Sequence, residues 1–191
     1  MNTMTEKESL RIIHEMIATS KGNLKDNSFF YLLWGWLVLI ASLSHFILEQ
    51  FKYDQPYLVW PLLMGTGAVV SVIAGIRIGK KAKVVTLVDR SIMYLWWSFL
   101  VVIMIVLLMA SLQKISWVGS NVLIMSMYGL GTFVSGGLLK FKPLMIGGIA
   151  AWILALVALF VDPSWVMLLI AASIIIAYLV PGYMLKSKEV K

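Results

Sequence analysis

The chain has 191 residues, 61% of them hydrophobic and 13% charged, with a net charge of +7 and no cysteine, and its mean hydropathy is +0.92. That is more apolar surface than a soluble domain of this size can bury, so the composition predicts an all-α polytopic membrane protein. It excludes disulfides, thiolate chemistry and cysteine-type metal sites. It also argues against nucleic-acid binding, because no basic domain stands outside the apolar runs.

The first segment, 1–28, carries Glu6, Lys7, Glu8, Arg11 and Glu15 and lacks the apolar stretch and cleavage site of a signal peptide. Thr5 and Glu8 have capping-box spacing and Gly22 is placed as a left-handed cap, which predicts a helix over 5–21 followed by a linker. Leu10, Ile12, Ile13, Met16 and Ile17 fall on one half of this helix and Arg11, His14, Glu15, Thr19 and Lys21 on the other. The segment reads as an amphipathic cytoplasmic helix resting in lipid headgroups or on the bundle's own end. The sharper alternative is a docking face built from Leu10, Ile13 and Ile17.

Six apolar runs then make a transmembrane domain over 29–191, with spans at about 29–48, 57–78, 91–112, 118–139, 143–161 and 164–185. Each approaches the roughly 20 residues that a helix needs to cross about 30 Å of hydrocarbon. Short connections predict three antiparallel hairpins. Fourteen Lys and Arg residues lie in the segments on one side and only Lys52 and Lys114 on the other, which places both termini in the cytoplasm of a bacterial inner membrane. Asp54 with Pro56, and Asp162 with Pro163, read as start signals for the second and sixth helices. Either Ser116 or the pair Ser120 and Asn121 would serve the fourth. Tyr31, Trp34, Tyr94, Trp96, Trp97 and Tyr183 on the inner side, with Tyr57, Trp60, Trp117 and Trp165 on the outer, form the aromatic belts expected at the interfaces. An aromatic ligand cage is the alternative.

An internal repeat runs through the first four spans. Ser28–Val38 and Ser91–Val101 share six of eleven residues, among them Tyr31/Tyr94 and Trp34/Trp97, while Gly65-Thr-Gly67 and Gly129-Leu-Gly131 lie 64 positions apart and are followed by Val70-Ser71 and Val134-Ser135. The repeat predicts duplicated hairpins related by an axis near the membrane normal. Gly67, Ser71 and Gly75, with Gly131 and Ser135, have the four-residue spacing of a helix-packing groove. The leading expectation is packing of the second helix on the fourth, with a subunit interface or a ligand groove as alternatives.

Chemistry finds little purchase. No Asp, Glu, Lys or Arg stands mid-span, which weighs against a pump or an ion-coupled carrier. His45 near the outer end of the first span reads as a satisfied interfacial histidine, and His14 lies on the other side, so neither a metal nor another cofactor is expected. Ser71, Ser98, Ser126, Ser135 and Ser173 have no base within the spans and are expected to bond the preceding helical turn or a neighbouring helix. Pro181-Gly182 is expected to kink or end the sixth helix.

In its C-terminal stretch Ile174–Lys186, and in the amphipathic start leading to Ser28-Phe-Phe-Tyr31-Leu-Leu-Trp34-Gly-Trp36, the chain resembles a family of uncharacterised integral membrane proteins from Bacteroides-type bacteria. That likeness implies a membrane fold and no activity. The layout of hairpins with Gly-rich even helices is more distantly similar to small HdeD-type acid-resistance membrane proteins. These readings together predict a non-enzymatic membrane component, structural or regulatory. It would sit among membrane lipids and act through helix contacts with a second copy or a membrane partner protein. The alternative is a passive channel or carrier for a small neutral or lipid-like solute, through a groove lined by Trp34 and Trp97.

Overall fold

A computed structural model describes the backbone of residues 6–81 and 86–187 and the side chains of 28–80 and 86–187. The described residues form helices and turns without a strand: α1 (Glu6–Gln50), a 3₁₀ turn (Pro56–Leu58), α2 (Val59–Lys81), α3 (Leu87–Ser111), α4 (Trp117–Leu138), α5 (Lys142–Val157), a second 3₁₀ turn (Pro163–Trp165), α6 (Val166–Ile174), a π turn (Ile175–Leu179) and α7 (Val180–Ser187). The last four elements follow one another without a break and form one C-terminal rod.

Five stretches are long and apolar enough to cross a membrane, namely Ser28–Gln50, Pro56–Lys80, Leu87–Ser111, Trp117–Leu138 and Pro163–Ser187. This is the pattern of a multi-pass helical membrane protein. The run expected as the fifth span, 143–161, is shorter as a helix. Its 16 residues rise about 24 Å, less than a typical hydrocarbon core. The apolar sequence continues, but the helix does not: Leu159 and Phe160 donate to Leu156 and Val157 at 3.1 and 3.0 Å, three-residue bonds that turn the chain.

The N-terminal segment also differs from expectation. Gly22 does not end a helix, and no described glycine has positive φ. α1 runs for 45 residues through the expected linker and into the apolar stretch. A helical glycine costs about 1 kcal/mol relative to alanine, less than a break that would leave several backbone groups unpaired.

Helix starts follow local chemistry. Thr86 and Asp89 form a reciprocal capping box, with Asp89 N–H donating to Thr86 Oγ1 at 3.2 Å and Thr86 N–H to Asp89 Oδ2 at 2.9 Å, so α3 begins at Leu87 rather than 91. Of the two alternatives for α4, Ser116 is the cap, accepting from Gly119 N–H at 3.0 Å. Asp162 opens the C-terminal rod as the acid-then-proline signal predicts, accepting from Ser164 N–H at 3.0 Å. Asp54 does not act in this way: Gln55 precedes the first 3₁₀ turn and makes no side-chain cap.

The C-terminal rod is the spine of the bundle. Its most apolar window is 56% buried, against 6% for the second span and 11% for the third. α1 and α5 pack on the rod, α4 packs closely on α5, α2 chiefly on α1, and α3 chiefly on α4. The core accordingly unites Tyr31, Val38 and Leu39 of α1, Met125 of α4, Leu144, Ala151 and Ala155 of α5, and Ile170, Ile174 and Tyr178 of the rod, whereas α2 and α3 reach it through partly buried residues such as Trp60, Met64 and Trp96. The expected packing of α2 on α4 is therefore not how the bundle is built.

Candidate functional site

Tyr128, Thr132 and Ser135 recur at intervals of four and three and so share one face of α4. That face meets Tyr31, one turn into the apolar part of α1, Trp96 and Phe99 of α3, and Tyr178 of the π turn. Ring centroids are 5.5 Å apart for Tyr31 and Tyr178, 6.2 Å for Tyr31 and Trp96, 6.1 Å for Trp96 and Tyr178, and 5.5 Å for Tyr128 and Tyr178, all edge-to-face. Phe99 closes the group at 4.9 Å from Trp96 and 5.0 Å from Tyr128. Edge-on packing is the arrangement that aromatic quadrupoles favour. It holds α1, α3, α4 and the rod to one another.

The π turn that carries Tyr178 has a local cause. Pro181 has no N–H for the Ala177 carbonyl, and its ring would crowd that carbonyl in a regular helix. The turn before it widens, with Val180 N–H donating to Ile175 O, and the helix then continues through Pro181-Gly182 to Ser187 instead of ending there. Glycines admit the neighbours: a Cβ on Gly147 of α5 would stand 2.8 Å from Ala177 Cα, and one on Gly35 of α1 would stand 3.2 Å from Tyr178 Cβ. Such wide turns recur where a helix serves a function.

At this junction the hydroxyls of Tyr31, Ser135 and Tyr178 are buried without a hydrogen-bond partner. The Tyr31 hydroxyl is turned toward Ser135 and Trp96, and that of Tyr178 toward Thr132, but no bond of normal geometry closes. The Thr132 hydroxyl donates back to Tyr128 O. Among the described residues no three of His, Cys, Asp and Glu come together as metal ligands would.

No protein family, curated protein or solved structure matches this chain. The geometry is therefore the basis for any functional reading.

The residues singled out from sequence are distributed differently from the expected groove. Gly67 is buried against α1, where a Cβ would lie 2.6 Å from Leu37 Cδ1 and 3.2 Å from the Trp34 ring, whereas Gly75 faces open space. Ser71 lies between them with its Oγ buried and unpartnered. Gly131 receives Trp96 of α3, whose ring would meet a Cβ at 3.1 Å, and Ser135 faces Tyr31 of α1. Trp34 and Trp97 do not line one groove: Trp34 lies over Gly67, and Trp97 is 62% exposed. The repeat thus encodes a tryptophan laid over a glycine of the following helix, Trp34 on Gly67 and Trp96 on Gly131, with the second copy using the neighbour of its matching tryptophan. Leu10, Ile13 and Ile17 lie outside the residues whose side chains are described.

The remaining polar groups are mostly satisfied. Trp60 Nε1 donates to His45 Nδ1 at 2.9 Å, so His45 has a hydrogen-bond partner within the bundle. Ser126 and Ser98 bond Val122 O and Tyr94 O of the preceding turn. Sequence reasoning missed Thr132, Tyr128 and Tyr178 as parts of a site. The signals were the shared α4 face and the proline three residues beyond Tyr178.

Proposed function

We propose that the protein is a six-span, non-enzymatic membrane component, structural or regulatory, in a bacterial inner membrane with both termini cytoplasmic, and that it works by receiving another helix on α2. The observation that carries the reading is the state of α2. It packs chiefly on α1, and Gly65, Gly75 and Gly79 have nothing within 4 Å of the position a Cβ would take. Large apolar side chains beside them, such as Val72 and Ile76, are exposed. An open small-residue surface flanked by such side chains lets a second backbone approach closely and gain dispersion contacts in lipid, where the hydrophobic effect offers helices no net attraction. The occupant is a second copy or a membrane partner protein.

The six spans rest on α5 crossing with local thinning of the bilayer or support from its neighbours. The orientation rests on the sequence positions of fourteen of the sixteen basic residues, in the segments that a six-span thread would put on the termini's side. The absence of enzymatic activity rests on spans with no charged residue at mid-length.

Association in membranes tests the proposal. Gly75→Leu and Gly79→Leu should lower crosslinked oligomers or partner recovery several-fold while leaving the melting temperature near that of the parent. If association is unchanged in both variants, helix docking on α2 is the wrong reading.

A further inference from the structure

Three hydroxyls without a partner in one apolar junction call for a physical explanation. Tyr31 is 4% exposed, Tyr178 2% and Ser135 0%, and each belongs to a different element, so no single helical turn can satisfy them. An orphaned buried hydroxyl costs about 1–3 kcal/mol, and buried polar atoms in native proteins are nearly always satisfied by protein or ordered water. The Ser135 hydroxyl could have returned to its own helix, as those of Ser126 and Ser98 do. It is unpartnered instead, with the Tyr31 hydroxyl turned toward it.

The surroundings define what would bind. Trp96, Phe99 and Tyr128 wall the junction, and the rings touch one another at centroid separations of 4.9 to 6.2 Å, so nothing the size of a ring enters between them. No charged side chain belongs to the group, so the occupant is neutral. It must both donate and accept, because each hydroxyl has a proton to give and lone pairs to fill.

We propose that Tyr31, Ser135 and Tyr178 form a buried binding site for water, one or two molecules shared by α1, α4 and the π turn. A buried water typically makes about three hydrogen bonds, and the three orphaned oxygens, with the Thr132 hydroxyl that Tyr178 faces, are the groups available to it. The π turn then has a role, since it sets Tyr178 against the hydroxyl-bearing face of α4. The site is separate from the docking surface on α2 and does not depend on it.

The sign of a stability change decides the matter. If water bridges the three oxygens, Tyr31→Phe and Tyr178→Phe each leave it underbonded, and each should lower the melting temperature of the full-length protein in nanodiscs by about 2–4 °C. The double variant should lose less than the sum of the two, because both tyrosines serve one molecule. Ser135→Ala should behave like the single variants. If the hydroxyls are simply unpaired in a dry core, deleting one removes a desolvation penalty; both Tyr→Phe variants would then melt at or above the parent, and the proposal fails. The tyrosine Raman doublet, which reports hydrogen bonding of the phenol, provides a readout independent of stability. Two hydrogen-bonded phenols should disappear in the double variant, and a parent spectrum in which these two are unbonded overturns the site.

Discussion

A Cβ built on Gly148 would stand 2.7 Å from the Gly129 carbonyl oxygen and 2.8 Å from the Phe133 amide nitrogen. These are backbone atoms that cannot move without separating α4 from α5. On Gly129 the same atom would meet the Trp152 indole at 2.5 Å, whose Nε1 donates to Ser126 O at 2.9 Å. Gly137, on the same helix as Gly129, has nothing within 4 Å. Gly148→Ala should therefore destabilise the protein by about 2 kcal/mol or more through overpacking. Gly137→Ala should stabilise it by up to about 1 kcal/mol through helix propensity alone. Thermal unfolding of the two variants in one detergent compares them directly, and equal shifts would refute the close-packing argument. Whether a helical glycine such as Gly148 joins two helices or, like Gly137, faces open space depends on what stands opposite it.

Three helices end on residues ill suited to the conformation they hold. Lys52, Gln113 and Lys140 have φ of 54, 56 and 51°, just past the ends of α1, α3 and α4. At each the following amide reaches back five residues: Tyr53 N–H to Leu48 O at 3.0 Å, Lys114 N–H to Met109 O at 2.8 Å, and Phe141 N–H to Gly136 O at 2.8 Å. These are Schellman caps with a side chain where glycine is usual. Gln113→Gly and Lys140→Gly should each stabilise by about 1 kcal/mol, because the left-handed region costs an L-residue roughly that much. A fall in melting temperature for both would contradict the cap geometry. At the opposite kind of terminus, the Ser164 side chain and backbone N–H hold the Asp162 carboxyl below its ordinary range. A depressed folded value means that the cap's contribution is complete above the unfolded range, about pH 4, and is lost as pH falls through the folded value. Asp162→Ala should accordingly flatten the acid limb of the stability profile, and an unchanged profile would mean that the carboxylate contributes nothing.

Across the whole bundle, the central rod and the two peripheral spans divide the helices by what covers them. α2 and α3 leave most of their surface outside the bundle, whereas α1, α4 and α5 gather on the rod. The short α5 sets the question of topology. Because the chain has no cysteine, single cysteines report sidedness cleanly. With six spans, probes placed at Lys52, Lys114 and Asp162 react from one side of the membrane and a probe at Lys140 from the other. If Asp162 labels together with Lys140, α5 does not cross and the six-span reading is lost.

The sequence by itself determined the all-α class, the apolar stretches long enough to cross a membrane and the start signals at Ser116 and Asp162. Each depends on neighbouring residues in the chain: a run of apolar side chains needs lipid whatever its partners, and an acid before a proline accepts N–H groups from its own first turn. The tertiary structure alone decided that Gly67 faces α1 rather than α4, that Tyr31 is buried while its repeat mate Tyr94 is 67% exposed, and that Tyr31, Ser135 and Tyr178 meet at a π turn. Helical period assigns a residue to a face but does not say which helix covers that face. In a chain that is apolar on every side, the choice is made by shape, by where a glycine lets a tryptophan or a second backbone come close.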